Sequence, residues 1–512
     1  MSKFRAAEFI MAGFEGQEAP ADVLKCIREE GLRAIILFKH NVKDAAQLKA
    51  LCDSLWDAAG SRPFFIALDQ EGGMVQRLKE TALPSNMGLA ASGNPELAFE
   101  MGKICGRELA WYGVNLNLAP VLDVNNNPKN PGIGIRSYSD SAATVEKFGR
   151  AYIRGIQSTD VSCCAKHYPG KGAAALDAHY SMPTVGSSYD TLWNTELLPF
   201  RGAVSEGVDF VMSSHVAYPA LDASGKPATV SHPITTGILK EKIGFSKAIV
   251  TDCLQMGGMV QHGSSQQAAV GALLAGADLS MLSHVWKEGR KGIDQVQAAI
   301  DDGTLTPARL QDADERLRKA FRGRPAVPPG NGPHFDHPAR LQRLVPHFLV
   351  GRNLSSFLPL KPGKKYLAVL IEPDIACPVE GFKQDLTNVL SYLPEGLEFE
   401  KAVLSKKAGE TELREALEQA RACDAVLLFS HNANLYPGHT EWVKEFGCLP
   451  HLMLVAIRNP YDCWLVPPAT PTLALFGFTA LTLNALREVL SGRMHPDGTM
   501  PVAAPQTAGC CS

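Results

Sequence analysis

The chain carries little net charge and lacks any long apolar run. Its 50 lysines and arginines stand against 53 acidic residues, a formal charge of −3. That balance argues against a nucleic-acid or membrane-surface role, either of which needs a basic face. No apolar stretch reaches the ~20 residues that cross a bilayer, so no membrane span is expected. Met1–Gly13 includes a short apolar piece, Phe9–Gly13, but not the ordered basic, apolar and cleavage regions of a secretion signal. It reads as a folded strand. The 12 cysteines form no C-x-x-C array and no zinc spacing. Neighbours such as Cys163 and Cys164 point to opposite faces of a strand and make poor disulfide partners. Reduced, mostly buried thiols in a cytoplasm are the simplest reading.

What is there suits a soluble globular protein: 45% apolar and 20% charged residues. At 512 residues the chain is too long for one ordinary domain. Its first part alternates apolar runs with amphipathic segments. Strands are predicted at Ala6–Ala12, Arg33–Phe38, Pro63–Leu68, Asn115–Pro120, Val161–Lys166, Val208–Ser213, Ala248–Thr251 and Asp278–Leu282. Helices are predicted between them at Ala21–Gly31, Asp44–Ala59, Pro95–Trp111, Ala143–Gln157, Tyr189–Ser205, Thr235–Ile243 and Ser265–Gly276, and after the last strand as far as Phe321. Such alternation points to parallel strands covered by helices. Eight units fit an α/β fold of the TIM-like (β/α)8 barrel type, with a doubly wound open sheet as the alternative. Arg322–Pro338, rich in Pro, Gly and Arg, reads as a linker. Four further strands, Tyr366–Ile371, Ala425–Ser430, Leu452–Ile457 and Thr472–Phe476, suggest a smaller α/β layered domain. The expected division is a barrel over 1–322, a linker over 323–345 and a C-terminal α/β domain over 346–512.

Ionisable residues cluster at strand ends. Asp69, Asp123, Lys166, His167, His215 and Asp252 each sit at or just past the C-terminal end of an apolar run. In a parallel barrel those ends open on one face, where active sites form. Asp252 follows Ala248-Ile249-Val250-Thr251; a carboxylate fixed there can attack an electrophilic carbon, or merely cap the next helix. Asp177 and His179 lie two residues apart in a Gly/Pro-rich loop. In extended backbone the carboxylate can reach the imidazole, orient it and favour its protonation, which suits a general acid. An incidental Asp-x-His in a solvated loop is the plain alternative. Asp69-Gln70-Glu71-Gly72-Gly73 offers acids for sugar hydroxyls and glycines for close backbone approach, with Arg77 in support. Arg136, in the loop 131–137, is a further candidate contact or a surface arginine.

These segments together carry a resemblance. Ala67-Leu68-Asp69-Gln70-Glu71-Gly72-Gly73, Asn117–Val124, Lys166-His167-Tyr168-Pro169-Gly170-Lys171-Gly172, Asp177-Ala178-His179 and Val250-Thr251-Asp252 resemble glycoside hydrolase family 3, more narrowly its bacterial β-N-acetylglucosaminidase (β-N-acetylhexosaminidase) branch. The segments Ala474–Gly477 and Pro496–Val502 are similar to a short version of the family's second domain. The resemblance implies Asp252 as nucleophile, His179 as general acid/base and Asp177 as its partner. It implies Asp69, Arg77, Arg136, Lys166 and His167 as sugar ligands. Glu441 and Glu445 are the second-domain glutamates considered for the acid/base role of the family's β-glucosidases, and a surface reading is preferred for both.

Four positions depart from the family pattern: Met74 for a common arginine, Lys171 for a histidine, Lys247 for a glycine, and Cys253 for a second aspartate or small residue. None removes a catalytic group. The implied activity is retaining hydrolysis of terminal β-linked N-acetylglucosamine from muropeptide or chitooligosaccharide fragments, without metal or organic cofactor. The implied partner is a small carbohydrate. An N-acetylglucosaminide phosphorylase, a β-glucosidase and a non-catalytic sugar-binding protein are the alternatives.

Overall fold

The apolar runs form strands because both of their faces are covered. The structure is a computed structural model and describes residues 4–78, 81–175, 182–260, 263–327, 332, 337–372, 379–380, 385–406 and 408–505. Eight parallel strands are β1 (Ile10–Ala12), β2 (Ala34–Ile36), β3 (Phe65–Leu68), β4 (Leu116–Asn117), β5 (Ser162–Tyr168), β6 (Phe210–Ser213), β7 (Ala248–Thr251) and β8 (Ser280–Leu282). Every residue in them is buried, as a parallel sheet packed on both sides requires. Consecutive strands pair in order, and β8 returns to β1 with Met11 opposite Met281. A bridge between Val250 and Leu279, with the Thr251 N–H donating to the Leu279 carbonyl at 3.1 Å, joins β7 to the residue before β8. The ring is therefore a (β/α)8 barrel, and the open-sheet alternative is excluded.

Helix starts follow their sequence signals. Asp44 caps Ala45–Ala59 by accepting the Gln47 N–H, Ser141 caps Ala142–Gln157, and Ser264 caps Ser265–Ala275. Four predicted elements differ. The helix predicted at Ala21–Gly31 is α-helical over Ala21–Lys25 and π-helical over Cys26–Glu30. Ala6–Phe9 is a short 3-10 turn leading into β1. The helix predicted over Tyr189–Ser205 breaks into Tyr189–Asn194 and Leu198–Ser205, where Pro199 opens the second piece. Thr235–Ile243 becomes a wider π-helical segment, Pro233–Lys242.

The second layer is a six-stranded sheet. Its strands are β9 (Val350–Arg352), β10 (Tyr366–Ile371), β11 (Phe399–Leu404), β12 (Ala425–Ser430), β13 (Leu452–Ala456) and β14 (Thr472–Ala474). The order is β11-β10-β12-β13-β14-β9, parallel except for β9. Within the stretch read as linker, His337–Leu344 is helical and Leu341 is buried. The two sheets share an apolar seam: Met74, Met87 and Ile135 of the barrel pack with Ala456, Tyr461 and Phe476. Met74 Sδ also accepts the Phe478 N–H at 3.0 Å. No helix among the described residues is long and apolar enough to cross a membrane.

Candidate active site

The C-terminal ends of the barrel strands surround a cavity of about 380 Å³. Asp69, one residue past β3, points into it with Lys166 and His167 of β5 and Asp252, one residue past β7. Arg77, Arg136 and Lys171 line the same space. Met212, Cys253, Met256 and Met281 supply an apolar wall, and Phe38, Lys39, His40 and His284 are among the other lining residues.

A buried charge network organises one side. Lys166 Nζ donates to Asp69 Oδ1 at 2.8 Å and pairs with Glu71 Oε1 at 2.5 Å. Arg77 Nη2 donates to Asp69 Oδ2 at 3.2 Å. Arg136 grips Glu71 with two hydrogen bonds, both 2.8 Å, from Nε and Nη2. Burial alone would raise the Asp69 carboxyl, but Lys166 and Arg77 override it and hold it at about 2. Glu71 is likewise lowered, burial being outweighed by Arg136 and Lys166. Burial pulls the Lys166 ammonium down, while Asp69 and Glu71 pull it up more strongly. These groups stay charged, and their rigid donors and acceptors suit the hydroxyls of a sugar.

Two of the six strand-end residues stand behind the cavity rather than in it. Asp123 is fully buried; its Oδ2 lies 2.7 Å from His167 Nδ1, and its Oδ1 accepts the Lys171 N–H at 2.7 Å. Burial raises its carboxyl, and Lys171 and the backbone donors oppose that rise. Asp123 thus orients the His167 ring and fixes the turn after it. The turn runs close to the chain: a Cβ on Gly172 would overlap the Val124 carbonyl, so only glycine fits there. His215 is also fully buried, with Nδ1 2.9 Å from Thr229 Oγ1 and Nε2 2.8 Å from the Cys253 carbonyl. It braces the backbone immediately after Asp252. The expectation that all six residues meet on the rim is corrected to four, with Asp123 and His215 supporting them.

Asp252 is 16% exposed. Its Oδ1 accepts the Cys253 N–H at 2.8 Å, and its Oδ2 lies 3.7 Å from Lys171 Nζ. Asp177 and His179 lie outside the described residues. Glu441 and Glu445 are exposed on the helix Pro437–Gly447 and do not line the cavity. Four contributors carried no signal of their own in the sequence. Glu71, one of two acids in its segment, is the partner shared by Arg136 and Lys166. Met256 and Met281 look like ordinary core residues. Val379 acts through its backbone carbonyl, which accepts from Arg77 Nη1 at 2.9 Å and carries no side-chain signal.

Residues 5–320 match the model described as the glycosyl hydrolase family 3 N-terminal domain. The chain belongs to that family. A solved structure of a family 3 β-N-acetylglucosaminidase from Paenibacillus sp. str. FPU-7 superposes with a TM-score of 0.88 at 32% identity, over 98% of this chain and 99% of that one. β-Hexosaminidase A of Pseudoalteromonas piscicida is 33% identical over 327 residues, 59% of this chain and 55% of that protein. The chain thus spans just over half the length of that relative. The β-hexosaminidase of Thiobacillus denitrificans is 32% identical over 310 residues, 59% of this chain and 84% of that protein.

The structure gives each of the four departures a place. Met74 packs into the seam between the layers. Lys171 stands beside Asp252, and Cys253 accepts a hydrogen bond from Ser283 Oγ at 3.0 Å. Lys247 pairs with buried Asp209 at 2.7 Å, away from the cavity.

Proposed function

We propose that the protein is a retaining glycoside hydrolase that releases terminal, non-reducing β-linked N-acetylglucosamine. The observation that carries this reading is Asp252: a strand-end carboxylate held by its neighbour's N–H in a cavity whose other side is a fixed array of buried charged groups. The family relationship and the named activities of its relatives support it.

In the proposed reaction the sugar lies against Asp69, Arg77, Arg136, Lys166 and His167. Asp252 attacks the anomeric carbon as the bond to the departing oxygen breaks, and His179, oriented by Asp177, protonates that oxygen. The product is a glycosyl ester on Asp252. Water then gives a proton to His179 and attacks the same carbon, freeing the sugar and the carboxylate. We further propose muropeptide or chitooligosaccharide fragments as substrates, a cytoplasmic location, and a chain divided into a barrel to residue 322, a connector over 323–345 and a second domain from 346.

The test is initial-rate hydrolysis of an aryl N-acetyl-β-glucosaminide beside the matching glucoside and xyloside. The proposal expects the N-acetylglucosaminide to be cleaved fastest. Faster cleavage of the glucoside would refute the sugar assignment, and strictly phosphate-dependent release of a sugar 1-phosphate would reassign the protein as a phosphorylase.

A further inference from the structure

Two arginines organise the acidic side of the cavity; the second layer touches Arg77 directly and Arg136 through the neighbouring Ile135. The contacts start at Arg458 and Asn459, which follow β13 at the C-terminal edge of the second sheet. Arg458 is 1% exposed and does not line the cavity. Its Nε donates to Glu380 Oε1 at 2.7 Å, also buried. The neighbouring Val379 carbonyl accepts from Arg77 Nη1 at 2.9 Å. Arg77 spends its other terminal nitrogen on Asp69. A second arm leaves from Asn459, which is fully buried. Its Oδ1 accepts the Arg458 Nη1–H and the Ile135 N–H, each at 3.2 Å. Ile135 precedes Arg136, the residue that grips Glu71. Gly134 lies so close that a Cβ there would overlap the Asn459 amide, and its φ of +49° disfavours a side chain in any case. Asn459 is itself fixed, its N–H donating to Asn432 Oδ1 at 3.1 Å.

We propose that Arg458 and Asn459 are positioning residues for the sugar site: they set Arg77 through Glu380 and Val379, and Arg136 through Ile135, and so make the second domain part of the barrel's affinity for its sugar. The physical case is connectivity without slack. A buried arginine needs its partners, and a buried carboxylate needs a cation, so the chain of contacts has few other arrangements. Moving one end displaces the guanidinium at the other by a fraction of an ångström, enough to spoil hydrogen bonds to a ligand. The inference rests on the proposed function for its substrate, but its geometry stands apart from it.

The experiment uses the full chain with Arg458→Met, Arg458→Lys and Asn459→Ala. Steady-state kinetics with the aryl N-acetyl-β-glucosaminide are the main readout. The arginines hold the sugar in ground and transition states alike, so the variants raise KM about tenfold and leave kcat within about twofold. Arg458→Lys, which keeps the charge, recovers part of the loss. A merely structural role would reduce the active fraction, lowering apparent kcat with KM unchanged, and that result overturns the proposal. Should Arg458→Met fail to fold, Asn459→Ala reads the second arm alone. If the wild-type chain does not cleave the sugar, the functional reading fails separately. A crystal structure of Asn459→Ala then decides the inference: displacement of the Arg136 guanidinium supports it, and an unmoved Arg136 on Glu71 overturns it.

Discussion

Replacing Asp69 with asparagine tests the buried charge network by its response to acid. In the folded protein Lys166 and Arg77 hold the Asp69 carboxyl at about 2 against an ordinary 3.8. A carboxyl lowered on folding stabilises the fold wherever it is ionised in both states, and the contribution disappears as pH falls through the folded value. The difference corresponds to about 2 kcal/mol at neutral pH. It is complete above about pH 5, falls to about half by pH 3, and is gone below about pH 1. Asp69→Asn removes this contribution but keeps the side-chain shape. Melting temperatures of wild type and variant, measured from pH 7 to pH 3, should therefore show a wild-type advantage that narrows in acid. A gap that stays constant over that range would refute the claim that the two cations hold this carboxylate ionised.

Three other substitutions probe the supports of the site. His215→Phe leaves the buried Cys253 carbonyl without its 2.8 Å ring partner, at a cost of about 1–3 kcal/mol, and should lower kcat by loosening Asp252; unchanged kcat would show that His215 does not brace Asp252. Asp123→Asn weakens the 2.7 Å contact that orients His167, a charged hydrogen bond worth about 1.5–3 kcal/mol, and should reduce kcat/KM at least tenfold in steady-state assays. Gly172→Ala drives a Cβ into the Val124 carbonyl and should lower the melting temperature by several degrees, whereas Gly186→Ala, which has open space, should not.

Most of the barrel was legible because its strands are unbroken apolar runs, the pattern of a sheet buried on both faces. Ala248–Thr251 matches β7 residue for residue, and Tyr366–Ile371 and Ala425–Ser430 match β10 and β12. Two strands of the second sheet were not foreseen. β9 is three half-buried residues, Val350-Gly351-Arg352, too short for a period. β11, Phe399–Leu404, carries exposed Glu400, Lys401 and Val403 at the sheet edge, so it lacks an apolar run. The site was legible to the extent that it uses charged side chains at strand ends. Asp69, Lys166, His167 and Asp252 meet as expected, and Arg77 and Arg136 join them from loops. Asp123 and His215 carry the same signal but act one layer back, since residues at a strand end can turn either into the cavity or under the next loop. The part played by Val379 is a backbone carbonyl brought in by tertiary contact, which no residue type announces.

In the proposed reaction Asp252 forms a covalent bond with the sugar. Incubation with a 2-deoxy-2-fluoro or 5-fluoro glycosyl fluoride that slows the second step, followed by proteolysis and mass spectrometry, tests it directly. One adduct per chain is expected, carried by the peptide containing Asp252 and absent from Asp252→Ala. An adduct on another residue, or turnover with inversion of the anomeric centre and no adduct, would contradict it.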